Sequence, residues 1–462
     1  MNERLRYGIA YAVLTLTGAG CTLHAPDTAL GITPPPTWRY APPAAPASAV
    51  TSQWWHDFGS AELDRLVAQA AANSFDVEAA VARVQQAQAS SRIAGATLLP
   101  TVTGFVDGSH QGGFVTNTNV QGTAFDLGLA ATYELDFWGR NRAQRDAAVA
   151  QLHASEFDRD TVTLTVTADV ATTWLQAVSL RERLAIAKQN AQSAADILTV
   201  ITAQAQAGAA TPLELAQQRG LLAAQRRVVA ERAQAANDAA ASLATLLGMP
   251  PSALTLSTDA LEPLQVPRVD AGIPSSLLTR RPDLASAEAQ LRAADANIVA
   301  ARAAMLPAIT LTGNAGFGND RLRTLFDSSL YSIAAGLTAP IFDAGSLAAQ
   351  RDLAVAQKSA LLATYRQSIV SAFADVERAL NAIAGTEAQQ RAQDDELAQA
   401  QQALTLAEYR YRAGGETMLV VLNAQQTLYA ARDEAVQLKL ARLQAAVSLY
   451  RALGGGWRQA AQ

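Results

Sequence analysis

Residues 125–137 read Phe-Asp-Leu-Gly-Leu-Ala-Ala-Thr-Tyr-Glu-Leu-Asp-Phe, and the order alternates throughout. Odd positions carry Phe125, Leu127, Leu129, Ala131, Tyr133, Leu135 and Phe137. Even positions carry Asp126, Gly128, Ala130, Thr132, Glu134 and Asp136. Successive side chains of a strand point to opposite faces, so this segment has one apolar face and one that is small or acidic. The pattern returns some 200 residues later. Ile309 and Leu311 stand against Thr310, Thr312 and Asn314, and Ile333, Leu337 and Ile341 against Ser332, Gly336 and Thr338. Segments of about ten residues, apolar outside and polar inside, are those of transmembrane barrels. A strand of a soluble sandwich is the competing reading of any one such segment.

The flanks of these strands decide between the two readings. No proline lies between Pro100 and Pro212, and no glycine between Gln144 and Ala207. A helix over that glycine-free stretch would be about 95 Å long, too long to fold back into a globule. Apolar residues then recur every seven positions, as Leu215, Leu222, Val229, Ala236 and Leu243, beside a row of Leu221, Val228 and Ala235. Strict sevens mark supercoiled helix packing. Alanine supplies much of the 50% hydrophobic content while aromatics reach only 6%; small side chains of this kind suit closely packed long helices.

The chain is one unit written twice. Ala96–Thr103, ATLLPTVT, matches Ala303–Thr310, AAMLPAIT, at a spacing of 207, which Asp136 and Asp343 share. After a single slip the spacing is 206: Gln144-Arg145-Asp146 with Gln350-Arg351-Asp352, Gly208 with Gly414, Thr211 with Thr417, Leu247-Gly248 with Leu453-Gly454. An internal register of this length is a duplication. Each half reads helix (about Ala61 to Leu98, or Pro282 to Met305), proline, two strands, and long helices. The segments HQGGFVTNTNVQGT (110–123) and GFGNDRLRTLFDSS (316–329) read as exposed loops, and Phe105, Phe114, Tyr133, Phe137 and Trp138 as candidates for interfacial aromatic belts. Asp136 and Asp343 are placed to cap the outgoing helices, with Gly139 and Gly345 relaxing the bends. Gly208 and Gly414 read as helix C-terminal caps in the two helix–helix turns.

The N-terminus has the plan of a secretory signal. Arg4 and Arg6 precede an apolar run from Tyr7 to Leu16, and Thr17-Gly18-Ala19-Gly20 leads into the single cysteine, Cys21. A cysteine after small residues resembles a bacterial lipoprotein acceptor, whose thiol is acylated with chains such as palmitate. Ordinary cleavage after Ala25 is the rival. Thr22 is not the aspartate associated with inner-membrane retention, which favours the outer membrane. The division that follows is 1–20 signal peptide, 21–60 lipidated extended segment, 61–250 first repeat, 251–280 equatorial connection, 281–454 second repeat and 455–462 tail. Strands are expected near 101–137 and 308–343, and long helices over 140–247 and 346–453.

Four strands cannot close a barrel, and an open edge in lipid leaves backbone groups unpaired. Two copies give eight strands, whose interior side chains fill. Three copies under cyclic symmetry give twelve strands and twelve helical positions. The expected fold is therefore a membrane α+β protein, a homotrimer closing a 12-stranded β-barrel and carrying an internal two-fold repeat.

Cys21, WWHDFGSAELDRLV (54–67), YELDFWGRNR (133–142), RRPDLASAEAQLRAADANIVAARAAMLPAITL (280–311) and YRYRAGGETMLVVLNAQQTLY (409–429) together span nearly the whole mature chain. With them the chain resembles the TolC-type outer membrane factor family, in its lipoprotein branch serving RND efflux systems. The resemblance implies that the 12-stranded outer-membrane β-barrel is continuous with a 12-helix periplasmic α-barrel. It implies a homotrimer in outer-membrane lipid, a periplasmic adaptor (membrane fusion) protein and an inner-membrane RND-type transporter as partners. It also implies a gate at the periplasmic helix tips, closed by polar links and carboxylate rings. Glu214 matches an acidic tip residue and Tyr411 a gate tyrosine. Val420 and Asn423 occupy the places of the second-half acids, so closure here falls to Leu419 or Val420, with Glu214 contacting Arg410, Arg412 or Tyr411.

The remaining classes find little support. The net charge of −5 includes no basic stripe for nucleic acid. His24, His56, His110 and His153 are scattered, so no metal-ligand spacing arises; no nucleophile-elbow or phosphate-loop motif occurs. No catalytic residue, metal or cofactor is expected. The expected function is a passive exit duct for drugs or toxic small molecules. Polypeptide (type I) secretion is the alternative, and a lipid-anchored coiled coil without a pore a more distant one.

Overall fold

The computed structural model describes residues 31–40, 50–115 and 118–458, so Cys21 lies outside the described residues. The described residues divide into two compact units, one within 31, 83–156 and 286–366, the other within 32–82, 157–285 and 367–458.

The helices are α1 (Ala61–Asn73), α2 (Phe75–Ala96), α3 (Arg140–Gln206), α4 (Pro212–Leu246), α5 (Pro282–Ala303), α6 (Ser346–Arg412) and α7 (Met418–Ala452). The strands are β1 (Thr101–Val115), β2 (Thr118–Leu135), β3 (Ala308–Asn319) and β4 (Ser329–Thr338). Helices α3 and α6 each hold 67 residues, and α4 and α7 each hold 35, so the duplication read from the sequence is matched in element length.

The first unit holds one antiparallel sheet in the order β1-β2-β3-β4. Its register gathers the alternating residues of all four strands. Val106 pairs with Leu127, Leu127 with Phe317, Tyr133 with Leu311, Ile309 with Leu337 and Gly313 with Ile333. Residues directly opposite share a face, so the apolar positions form one continuous surface. Thr103, Ala130, Asn314 and Ser332 form part of the reverse face by the same register. Among the described residues no layer covers the apolar surface: Leu129 is 58% exposed, Ile333 85% and Leu337 70%.

Three sequence expectations need correction here. The helix expected over 61–98 is two helices, because Ser74 is extended (φ −66, ψ 123) and its N–H closes the preceding turn on the Ala70 carbonyl. A close approach coincides with this break: Gly248, at φ 65, lies so near the Asn73 carbonyl that a Cβ would collide with it. Secondly, 110–123 is not all loop. The ladder runs on through His110↔Thr123 to Val115↔Thr118, since a partner strand satisfies backbone groups whatever the local turn propensity. Likewise β3 reaches Asn319, and Leu322–Asp327 is a 3₁₀ turn with Leu325 buried and Phe326 edge-on to Phe317, ring centres 5.4 Å apart. Finally, Phe105 is not on the apolar face. Its ring covers Gly128 on the reverse face, where a Cβ would sit 2.9 Å from Cζ. The side chain of Phe114 lies outside the described residues.

In the second unit many large side chains are buried. Trp54, Phe58, Leu63, Leu66, Trp174, Leu175, Leu243, Leu261, Leu277 and Tyr450 are fully or almost fully buried. Trp54 stacks on Tyr450 at 5.0 Å, and the Tyr450 hydroxyl donates to Asp57 at 2.5 Å. Near the helix–helix turns a separate cluster joins Ile201, Leu221, Leu404, Met418, Val421 and Leu422.

Candidate functional site: the strand–helix junctions and the helix tips

At the strand–helix junctions the two aspartates do parallel work. The Asp136 carboxylate accepts from the backbone N–H groups of Asn141 (2.9 Å) and Arg142 (2.8 Å), and Arg142 Nε donates to it at 3.1 Å. Asp343 accepts from Leu347 (2.7 Å) and Gly345 (3.0 Å), and the Leu347 N–H above all holds its carboxyl below the ordinary carboxylate value. The first turn of a helix leaves N–H groups without helical partners, so each carboxylate stabilises the start of a 67-residue helix. Gly139 (φ 78) and Gly345 (φ 83) occupy the left-handed region at the bends. Trp138 donates its indole N–H to the Pro307 carbonyl at 2.8 Å, which ties the exit of β2 to the proline before β3.

At the tips, Gly208 (φ 74) and Gly414 (φ 72) close α3 and α6. The N–H of Ala209 reaches the Gln204 carbonyl and that of Gly415 the Arg410 carbonyl, the closing bonds of glycine-capped helix ends. Glu214 makes its hydrogen bonds in a capping box, and its charge also acts on Tyr411. Its carboxylate accepts from the N–H (2.6 Å) and hydroxyl (2.9 Å) of Thr211, while Thr211 Oγ accepts from the Glu214 N–H. This capping box at Thr-Pro-Leu-Glu satisfies two otherwise orphaned donors and leaves the carboxylate on its own helix. Arg410 lies 4.0 Å from Glu416 and Arg412 3.7 Å from Glu408, each within its own hairpin.

Close to the tips the hairpins are linked by Tyr411, whose hydroxyl donates to Gln204 Oε1 at 3.2 Å. Burial, with the Glu214 carboxylate adding to it, raises the Tyr411 pKa, so the phenol keeps its donor proton. Leu419 and Val420 are exposed, as is Asn423, whereas Met418, Val421 and Leu422 face the tip core. The sequence singled out Tyr411 but not Gln204, whose role needs a contact across 207 residues.

An anchor of another kind sits further along the same unit. The Glu62 side chain, only 6% exposed, accepts from Ser257 N (2.6 Å), Ser257 Oγ (2.9 Å), Thr258 N (3.1 Å) and Trp174 Nε1 (3.1 Å). Burial raises its pKa, but these donors outweigh burial and bring it down from 4.5 to about 2. Glu182 accepts from Leu261 N, and Arg181 from α3 binds the Leu256 carbonyl and Asp259. The segment 256–261 is thus fixed at its backbone by side chains of α1 and α3.

Among the described residues no helix is long and apolar enough to cross a membrane, and no His, Cys, Asp or Glu cluster could hold a metal ion. The sequence profile of outer membrane efflux proteins matches residues 66–249 and 273–455, one match to each repeat. The chain belongs to the outer membrane efflux protein family. Full-length relatives accord with that. The pyoverdine export outer membrane protein OpmQ of Pseudomonas putida is 48% identical over 455 residues, covering 96% of each chain. That of Pseudomonas aeruginosa is 46% identical, covering 97% of this chain and 96% of its own. Among solved structures, the outer-membrane channel OprN superposes with a TM-score of 0.88 at 28% identity, over 95% of this chain and all of its own. CusC gives 0.85 at 30% identity, over 94% of this chain and all of its own. This efflux protein therefore shares the fold of the TolC-like channels.

Proposed function

We propose that three copies of this chain form an exit duct in the outer membrane, and the open sheet carries that reading. The outer edges of β1 and β4 have no strand partner among the described residues, and one face is apolar and uncovered by any described residue. In lipid an unpaired edge costs several kcal/mol for each bare backbone group, so β4 of one copy pairs with β1 of the next until the ring closes. Three copies give twelve strands, with the apolar face to lipid and the Thr, Asn, Gly and Asp face to a water-filled lumen. The long helices reach into the periplasm, where an adaptor and an inner-membrane RND-type transporter deliver cargo, and acylated Cys21 adds a lipid anchor. Transport through the duct is passive.

At the periplasmic tips Tyr411 and Gln204 hold the hairpins together, and Leu419 and Val420 narrow the passage. Purified protein in a planar bilayer tests both parts. The expected result is a trimeric mass in detergent and small, closed-state conductance that rises several-fold in Tyr411→Phe combined with Gln204→Ala. A non-conducting monomer would overturn the duct, and an unchanged closed state in the double variant would overturn the gate.

Pyoverdine export, the activity named for two relatives near half identity over their full lengths, indicates a secreted small molecule as cargo. Expressed in a pseudomonad lacking its own OpmQ, this chain should restore pyoverdine to the culture medium. Medium left at the deletion level, with the protein present in the outer membrane, would refute that assignment.

A further inference from the structure

Helices α4 and α6 carry opposite charge at the same height above the tips, on flanks that no described residue covers. Residues 219–231 of α4 hold three exposed arginines (Arg219, Arg226, Arg227) and one glutamate, Glu231, while the next arginine, Arg232, is turned inward to Asp433 of α7 at 3.2 Å. Residues 387–396 of α6 hold Glu387, Asp394, Asp395 and Glu396 with one arginine, Arg391. Arg226 follows the α4 cap by 15 residues and Asp395 precedes the end of α6 by 17, which puts both about 25 Å from the turns. At that height the inner flanks are already joined. Arg183 of α3 makes a two-pronged bond to Asp433 of α7 at 2.7 Å, and Arg432 of α7 reaches Asn190 of α3. Among the described residues the outer flanks remain open.

Exposed residues on these flanks recur every seven positions. On α4 the row is Leu213, Gly220, Arg227 and Gln234; on α6 it is Ala388, Asp395, Gln402 and Tyr409, and all eight are exposed. The helices run in opposite directions relative to the tips. Laid side by side, one register matches every member: Leu213 with Tyr409, Gly220 with Gln402, Arg227 with Asp395, Gln234 with Ala388. Two apolar groups that are 66% and 73% exposed cover each other, two small residues each face a long one, and a cation faces an anion. The same register puts Leu406 at the level of Ala216, Glu231 at that of Arg391 and Arg226 at that of Glu396, with Asp394 within one turn. Between residues 216 and 236 of α4 no like charges stand level. In the free chain Arg227 pairs with Glu231 along its own helix, and no ion-pair partner is described for Arg226, Asp395 or Glu396.

We infer that the outer flank of α4 is the docking surface for α6 of a second copy of this chain, in the register Leu213–Tyr409, Gly220–Gln402, Arg227–Asp395. This rests on the trimeric reading above and specifies its periplasmic seam. A seam of this kind joins two different surfaces, so it propagates around a ring as the closed trimer requires. Charge alternation along it selects one register over a slip by a heptad, which would bring Arg227 against Gln402 and leave Asp395 facing Gln234.

Cysteine pairs in the full chain test it. Gly220→Cys with Gln402→Cys should give intersubunit cross-links with a short bifunctional thiol reagent, while Gly220→Cys with Ala388→Cys, two heptads out of register, and either single variant should not. Arg227→Asp and Asp395→Arg should each lower the trimeric fraction at low salt several-fold, and the two together should restore it. A wild-type trimer whose Gly220→Cys, Gln402→Cys form gives no cross-link, or whose charge swap gives no rescue, overturns the seam and leaves the duct standing. A monomeric wild type overturns both.

Discussion

Glu62→Ala is expected to release the segment 251–280 and to lower stability by about 3–5 kcal/mol, the range for removing one partner of a buried charged hydrogen-bond network. The substitution leaves the Ser257 and Thr258 N–H groups and the Trp174 indole N–H without their acceptor, and Trp174 is fully buried. Glu62→Gln keeps the shape but substitutes an NH₂ group for one acceptor oxygen facing those donors, so it should fall between wild type and Ala. The pH dependence has a definite sign. A carboxyl brought from 4.5 in the unfolded chain down to about 2 stabilises the fold fully above pH 4.5. That contribution, of order 3 kcal/mol, fades as pH falls from 4.5 through 2. Thermal unfolding of wild type and Glu62→Gln across that window should converge as pH falls, and in limited trypsin digestion the variants should be cut at Arg268 and Arg280 first. Equal melting and equal cleavage would show that the segment is held by its apolar contacts, Leu261 and Leu277, without the carboxylate.

The reach of sequence reading divides along the same physical line. Whatever is set by local periodicity was legible. The phase of Phe125–Phe137 predicts which residues share a face, and the register then brings Leu127, Leu129 and Tyr133 together with Leu311, Phe317 and Leu337. Glycines at the four bends were legible too, because positive φ is a local requirement, met at Gly139, Gly208, Gly345 and Gly414. Long-range polar contacts were not. Nothing near Glu62 announces Ser257, some 195 positions away, and the Tyr411–Gln204 bond joins residues 207 apart. Glu214 was half legible. Its position pointed to Tyr411, on which its charge acts, but Thr-x-x-Glu before an apolar run is also the signature of the local capping box that takes its hydrogen bonds. The strand ends were underestimated for a related reason: glycine, asparagine and threonine in 110–123 mark turns statistically, yet a ladder partner overrides them.

The second large effect concerns the uncovered face of the sheet. Leu129→Arg should sharply reduce folded protein in the outer membrane, whereas Thr312→Arg on the reverse face should assemble and alter only conductance. Leu129 sits midway along β2, opposite Gly104 on one side and Ala315 on the other. With two small neighbours, its 58% exposure in an isolated chain is surface that a bilayer would cover. An arginine at the midplane on the lipid side costs about 2–4 kcal/mol, and a closed trimer incurs it three times, once per copy. Thr312 pairs with Thr132 and Ala334, on the face assigned to water, where a cation needs no desolvation and changes the field felt by permeating ions. Heat-modifiable mobility of the folded barrel and ion selectivity in a planar bilayer distinguish the two variants. Equal loss for both would mean that the sheet is covered on each side. Equal tolerance would mean that neither face meets lipid, and the open edges of β1 and β4 would then need a partner other than a neighbouring copy in the membrane.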